Sequence, residues 1–331
     1  DPNTLVTPTT TIFANTSGVT SNENGTYATD DFVFGSPQLA DNGNPANDKR
    51  FFFDKSKAAF RAGSVTGTQW DDANIGNRST AMGFGTKASG ATSIAMGAST
   101  TASGTVSTAM GSGTIASGQY STAMGDYTKA LGSKSTAMGN NTEAYGVTST
   151  AMGKGTTASG TSTTAMGDGT TASGYYSTAM GKGTTAFGYY STAMGEGTIA
   201  SGEYSTSMGR YTQAIGTGST AMGIGTEAIG ATSTAMGYTT KAPSYAETAV
   251  GLYNTTYTSS SITNWIAADR LFVVGNGTGS SALSNALTIY KNGTMNINDA
   301  YNMPTADGAA NFVMSTDGNG VVSFVNPNTL V

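Results

Sequence analysis

Apolar and polar residues alternate through the middle of the chain in runs too short for a helix. Starting at Ser79-Thr80-Ala81-Met82-Gly83, a five-residue word returns every 14 residues without an insertion. Its copies begin at Ser93, Ser107, Ser121, Ser135, Ser149, Thr163, Ser177, Ser191, Ser205, Ser219 and Ser233, and Glu247-Thr248-Ala249-Val250-Gly251 is a degenerate last copy. Between copies lies a second word, Thr86-Lys87-Ala88-Ser89-Gly90 in the first repeat, whose Thr recurs to Thr240 and whose Ala recurs to Ala242. Glycine at every seventh residue would break a helix, so each repeat predicts two short strands, each followed by a Gly-centred turn. A fixed short period of this kind is the mark of a solenoid.

Strand alternation then assigns the faces. Ser79, Ala81 and Gly83 share one side of the first strand, and Thr86, Ala88 and Gly90 share one side of the second. These nearly constant small residues are expected to meet inside a coil too narrow for larger ones. The outer side of the second strand accepts Lys87, Thr101, Ile115, Lys129, Glu143, Thr157 or Gln213 and reads as a solvent face. The outer side of the first is a continuous stripe of Thr, as at Thr80, and Met, with Met in every repeat. Twelve of the fifteen methionines fall there: Met82, Met96, Met110, Met124, Met138, Met152, Met166, Met180, Met194, Met208, Met222 and Met236. With coils about 4.8 Å apart, the stripe runs for roughly 60 Å. Burying each of these side chains is worth about 1.5–3 kcal/mol, and a stripe of this size exceeds what a lone soluble chain leaves bare. It predicts an interface, and the simplest partner is another copy of the chain about a closed symmetry axis. The repeat alone leaves the number of copies open.

Composition narrows the chemistry. Glycine is 46 of 331 residues, charged residues are 11%, and 15 basic against 20 acidic side chains give a net charge of −5. That is too acidic and too dilute for a nucleic-acid surface. Histidine and cysteine are both absent, which removes Ser-His-Asp and Cys-His catalysis, His/Cys zinc sites and disulfides. No apolar run reaches the length of a membrane span, and residue 1 opens no signal peptide, so the chain reads as a piece of something longer. Carboxylates remain, which leaves glycoside hydrolysis open to composition. The repeat's acids fall at outer positions with no cleft, so no catalytic residue, cofactor or metal is assigned. Asp41-Asn42-Gly43-Asn44, Asp71-Asp72 and Asp317-Gly318-Asn319-Gly320 offer oxygen ligands to Ca²⁺ but lack the EF-hand spacing, and read as turns. Lys154, Asp168, Lys182, Glu196 and Arg210 alternate in sign down one column, an arrangement that favours the in-line stacking register. Tyr120, Tyr176, Tyr190 and Tyr204 share one turn position, with Tyr175 and Tyr189 just before two of them. They read as a ladder stabilising its own turns, as packing between protomers, or as a surface for sugars or proteins.

The word Ser-x-Ala-Met/Val-Gly at a 14-residue period resembles the head repeats of YadA-like trimeric autotransporter adhesins, whose own word is Ser-Val-Ala-Ile-Gly. The resemblance covers about residues 79–251. It implies an all-β, homotrimeric, left-handed parallel β-roll, and it places Met82, Met96 and their equivalents at the trimer interface. It brings no catalytic residue. Met stands where the family has Ile or Val, a role its flexible thioether can fill.

The flanks lie outside the repeat. Residues 1–78 carry Asp31–Gly35, Phe51–Lys55 and Phe60–Gly63, which predict short strands capping the first open coil. The block resembles the lead-in of large surface proteins of Bacteroidetes-type bacteria. Residues 252–331 carry Arg270–Gly275 and Ala286–Tyr290, the latter followed by the turn Lys291-Asn292-Gly293, a strand and hairpin pattern that resembles the β-rich shafts of trimeric surface proteins and phage tail fibres. Pro-Asn-Thr-Leu-Val stands at both 2–6 and 327–331, as in a module of a tandem array. The expected role is a non-enzymatic structural and adhesive module of an extracellular fibre on a bacterial surface. Its expected partners are neighbouring modules and host or environmental glycans or proteins. A receptor-binding fibre of a phage or contractile injection system is the alternative. An ice-binding solenoid, suggested by the Thr80 and Thr86 columns, is weaker because it needs a flat exposed array.

Overall fold

The computed structural model describes residues 14–16, 19–21, 32–35, 49–306 and 308–329. Two compact units divide the chain, Asp1–Ala144 and Tyr145–Val331. Each is built on the expected coils. A repeat forms a long strand such as Thr80–Phe84 and a short one such as Lys87–Ala88. In the first unit five long strands, from Thr80–Phe84 to Thr136–Asn140, pair in parallel in sequence order, and the short strands form a second parallel sheet. In the second unit eight long strands run from Thr150–Lys154 to Thr248–Leu252, and seven short ones from Thr157–Ala158 to Lys241–Ala242. Within each unit every repeat residue pairs with its equivalent 14 positions on, so a column in the sequence is a column in space. These are parallel β-solenoids.

The interior holds only small side chains. Ala81, Ala88 and their equivalents are wholly buried, as are Thr86 and its equivalents. Ser93, Ser149, Ser191 and Ser205 each donate the side-chain hydroxyl to the carbonyl three residues back, which closes the second turn in those coils, whereas the hydroxyls of Ser107, Ser121, Ser135, Ser177, Ser219 and Ser233 have no hydrogen-bond partner. The Thr86 column is apolar in practice: hydroxyls such as those of Thr86, Thr156 and Thr170 have no hydrogen-bond partner. Where Ser207 replaces the usual Ala, its hydroxyl meets that of Thr212 at 2.7 Å.

Two turn expectations need correction. Gly83 and its equivalents do not sit inside with Ser79 and Ala81. The strand continues through them with φ near +120°, and they lie toward the outside. They are glycine because the next coil's backbone passes where a Cβ would be; at Gly167 it would stand 1.9 Å from the carbonyl oxygen of Gly181. The second turn is not Gly-centred either. The left-handed residue there is the one before the word's Ser, and Thr92, Val106, Tyr120 and Lys134 all hold φ of 57–58°. A hydrogen bond donated to the previous coil fixes each, as from Val106 N to Ala91 O at 2.8 Å. Tertiary pairing overrides the local preference for Gly.

The unit ends must satisfy both kinds of backbone group. Amides of one coil donate to carbonyls of the next, as from Thr80 N to Ser93 O at 2.9 Å, and others donate back, as from Gly113 N to Ala98 O at 2.9 Å. An open coil edge therefore shows carbonyls and amides together, and each end must be closed by partners for both. At the first end, Lys49–Asp54 and Ala59–Ser64 form an antiparallel pair that Phe32–Gly35 extends, and Ala59–Ser64 lies parallel to Thr80–Phe84. Two side chains there donate to the coil's carbonyls, while Ser64 O accepts from Gly85 N at 2.7 Å. Arg61, wholly buried where each coil has Ala, donates to Ser79 O, Ser79 Oγ and Ala88 O at 2.9–3.1 Å, and Trp70 Nε1 donates to Thr86 O at 2.9 Å. Burial, only partly offset by Asp54, lowers the Arg61 guanidinium to about 10.

At the far end of the second unit the closing groups serve both kinds. Asn254, in the Thr column, accepts from Lys241 N at 2.8 Å and donates to Lys241 O at 2.9 Å. Pro243 has no amide to satisfy. Glu247 Oε2 accepts from Ser244 N at 2.9 Å and from the Tyr257 hydroxyl at 3.2 Å. Glu247 occupies the place of the repeat's Ser and is wholly buried, with Oε1 unpartnered. Burial raises its pKa from 4.5 to about 7 against the pull of the Ser244 amide, Arg270 and Tyr257. Arg270–Asn276 then stacks in parallel on Thr248–Leu252, placing Val273 over Ala249, and pairs with Asn285–Tyr290. Asn285–Tyr290 pairs in turn with Met295–Ile297 across the expected Lys291–Gly293 turn. Residues 2–6 and 41–44, along with Leu330 and Val331, lie outside the described residues.

Two predictions follow from these contacts, both read in thermal or urea melts. Gly167→Ala, which forces Cβ onto the next coil, should cost at least about 3 kcal/mol. Gly169→Ala, at φ +63° with open space around it, should cost roughly 1–2 kcal/mol. Equal costs would mean that close approach is not what requires Gly167. The second concerns pH. Because the folded-state pKa of Glu247 is raised, its contribution is fully present below about pH 4.5 and is lost as pH rises through about 7. The second unit should lose about 3 kcal/mol over that window, and Glu247→Gln should flatten this part of the profile. An unchanged profile in the variant would show that another group titrates.

Candidate functional site

The outer face of the long strands is where the structure gathers the methionines. Met82, Met96, Met110, Met124 and Met138 stand in register in the first unit. Met152 through Met236 do so in the second. Met82 is 37% exposed and the others are half-buried against their column neighbours. The in-register column is the arrangement that the alternation predicts.

Each column also continues into residues that sequence reasoning assigned only to capping strands and hairpins. In the first unit Met82 pairs with Ala62, which pairs with Phe51, and Phe53 pairs with Phe60 on the same face. Phe51 and Phe53 are 42% and 40% exposed, while Phe52 between them is buried edge-to-face against Trp70. In the second unit the row runs from Met236 to Val250, Val274, Leu287 and Ile297 through successive strand pairings. The missed signal was period-two alternation: Phe51 and Phe53 fall two residues apart, as Thr80 and Met82 do. An outward apolar row of this kind is larger than a lone soluble chain ordinarily leaves bare, and it contrasts with the short-strand outer face, which carries Lys, Glu, Gln and Thr beside Ile115 and Ile199.

The short-strand outer face is polar apart from Ile115 and Ile199 and carries internal ion pairs. Lys129 and Glu143 meet at 2.7 Å, and Lys241 and Glu227 at 2.9 Å, two ion pairs that the sequence reading did not single out. In the alternating column, Lys154 lies opposite Asp168, Asp168 opposite Lys182 and Lys182 opposite Glu196, and Glu196 closes an ion pair with Arg210 at 3.3 Å.

The tyrosines stand on the second turn. Tyr176, Tyr190 and Tyr204 stack face to face with centroids 4.9 and 5.1 Å apart, and Tyr175 stacks on Tyr189 at 5.1 Å. They are about half exposed, with φ of 57–59° for the three in the left-handed position. Tyr120, in the first unit, holds the same position between Val106 and Lys134. Because the rings occupy one another's faces, the parts turned outward are ring edges and hydroxyls. Glu203 beside Tyr204 raises that phenol's pKa.

The remaining candidates resolve into structure. Thr86 and its equivalents are interior, so this column forms no exposed array for an ice lattice. Asp317 Oδ1 accepts from the amides of Asn319 and Val321 and closes its own turn. Asp299 borders a shallow hollow of about 520 Å³ with Tyr301, Thr316 and Asn319, and its carboxylate is held by Asn285. Among the described residues no three acidic side chains converge on a metal-sized site, and no helix is long and apolar enough to cross a membrane.

Residues 75–212 and 214–240 match a family model described as the YadA head domain repeat, in overlapping two-repeat segments from 75–100 to 214–240. No curated protein matches the chain. With the 14-residue words, the parallel coils they form and this match in hand, the chain belongs, over residues 75–240, to the YadA head repeat family.

Proposed function

We propose that the chain is a non-enzymatic, adhesive module of a homotrimeric extracellular fibre on a bacterial surface, assembled through the methionine face. The observation that carries this reading is the outward apolar row, which extends in each unit beyond the repeats onto the closing strands. A row whose register is fixed by 14-residue stacking presents the same side chain at every level, which suits a symmetric partner with the same spacing. Membership of the YadA head family adds the number three, since that family's heads are trimeric. In this reading Met82 through Met236 are the interface, and the edges and hydroxyls of Tyr120, Tyr175, Tyr176, Tyr189, Tyr190 and Tyr204 are the contact surface for glycans or proteins.

Native mass by light scattering tests the assembly. The expected value is close to three times the chain mass, and a monomer would sink the reading. Met152→Asp, Met166→Asp and Met180→Asp together should dissociate the oligomer or unfold it, since each buries an unpaired charge at a cost of several kcal/mol. Thr171→Asp, on the short-strand outer face, should leave the mass unchanged. A triple variant that keeps both mass and melting temperature would show that the methionine face is not an interface.

A further inference from the structure

We infer that the methionine columns are sulfoxidation sites through which an oxidant of the peroxide class blocks self-assembly, an inference that rests on the interface reading above. An Ile or Val at the same positions would supply apolar surface with no such chemistry. The thioether sulfur attacks one peroxide oxygen; the O–O bond breaks, an S–O bond forms, sulfur is oxidised by two electrons and hydrogen peroxide leaves as water. The product exchanges a flexible apolar side chain for a polar one.

Three observations place this chemistry on the columns. The side chains point out from the long strands, with Met82 37% exposed and the rest half-buried in the single chain, so the sulfurs are reachable before assembly. They stand in unbroken register within each unit, as in Met96 opposite Met110 opposite Met124. Sulfoxides on neighbouring coils would therefore lie acceptor against acceptor, on a face that assembly must dehydrate. Further, the row is continued by Ala62, Phe51, Val250 and Val274, so beyond the half-buried threonines two residues before most column Met, such as Thr80 and Thr108, no side chain in the row offers a sulfoxide a hydrogen-bond donor. Assembly in turn encloses the sulfurs, so the same residues are open to oxidant in the free chain and shielded in the oligomer.

The three methionines outside the columns provide the control. Met295 and Met314 are 37% and 47% exposed, and they should oxidise whether or not the chain has assembled. The experiment oxidises the unfolded chain with hydrogen peroxide, returns it to native buffer and measures the native mass beside an untreated sample. A second chain carries leucine throughout the columns, from Met82→Leu to Met236→Leu, and retains Met295, Met303 and Met314. The oxidised natural chain should fail to reach the mass of its untreated form, and the oxidised leucine chain should reach it. In a separate measurement on the assembled natural chain, which needs no variant, column methionines should gain oxygen about tenfold more slowly than Met314. An oxidised natural chain that assembles normally, column methionines that oxidise as fast as Met314, or a leucine chain that assembles untreated and fails equally after oxidation would each overturn the inference. An untreated natural chain that is monomeric would instead remove the interface reading, and the inference with it.

Discussion

A coil two strands wide has no room inside for anything larger than alanine, serine or threonine, and nearly everything else in the two units follows from that limit. The interior cannot supply the usual aliphatic core, so Ala81, Ala88 and their equivalents serve as spacers that let opposite strands close. Cohesion then comes from the amide-to-carbonyl ladder, which repeats without interruption within each unit. The ladder demands close backbone approach, and glycine at Gly83 and Gly90 is what permits it. With large side chains excluded from the inside, the methionines can only be outside.

The open edges of the ladder decide the chemistry of the ends. At one, Arg61 and Trp70 donate to carbonyls; at the other, Asn254 accepts from the Lys241 amide and donates to the Lys241 carbonyl, Glu247 accepts from the Ser244 amide, and Pro243 removes one amide altogether. The logic is that of helix capping transferred to a stack of strands. It also explains why charged groups are tolerated in full burial: each one satisfies backbone groups that would otherwise be orphaned.

Much of this was legible in the sequence because the repeat has no insertions. Period, strand faces, the small interior and the methionine column all came from counting by 14 and by two. The closing strands were legible as well, since Arg270–Asn276 and the hairpin turn after Tyr290 carry ordinary local signals. What escaped was whatever depends on a neighbour distant in sequence. Val106 and Tyr120 hold left-handed turns because a carbonyl of the previous coil fixes them, and nothing local announces it. Glu247 looks like a degraded repeat residue until its carboxylate is seen under the Ser244 amide. Phe51 and Phe53 join the outward row only once Ala59–Ser64 is known to pair with Thr80–Phe84.

The orientation of the ladder has a mechanical consequence. Its hydrogen bonds run from coil to coil, along the stacking direction rather than across it. Tension applied along that direction within a unit loads the bonds of each coil boundary end-on and in series, so a unit yields by peeling one boundary at a time rather than by shearing many at once. In the proposed oligomer a peeled coil would also have to strip its thioether from the neighbouring chain before the next could open, so lateral packing would act as a brake on extension.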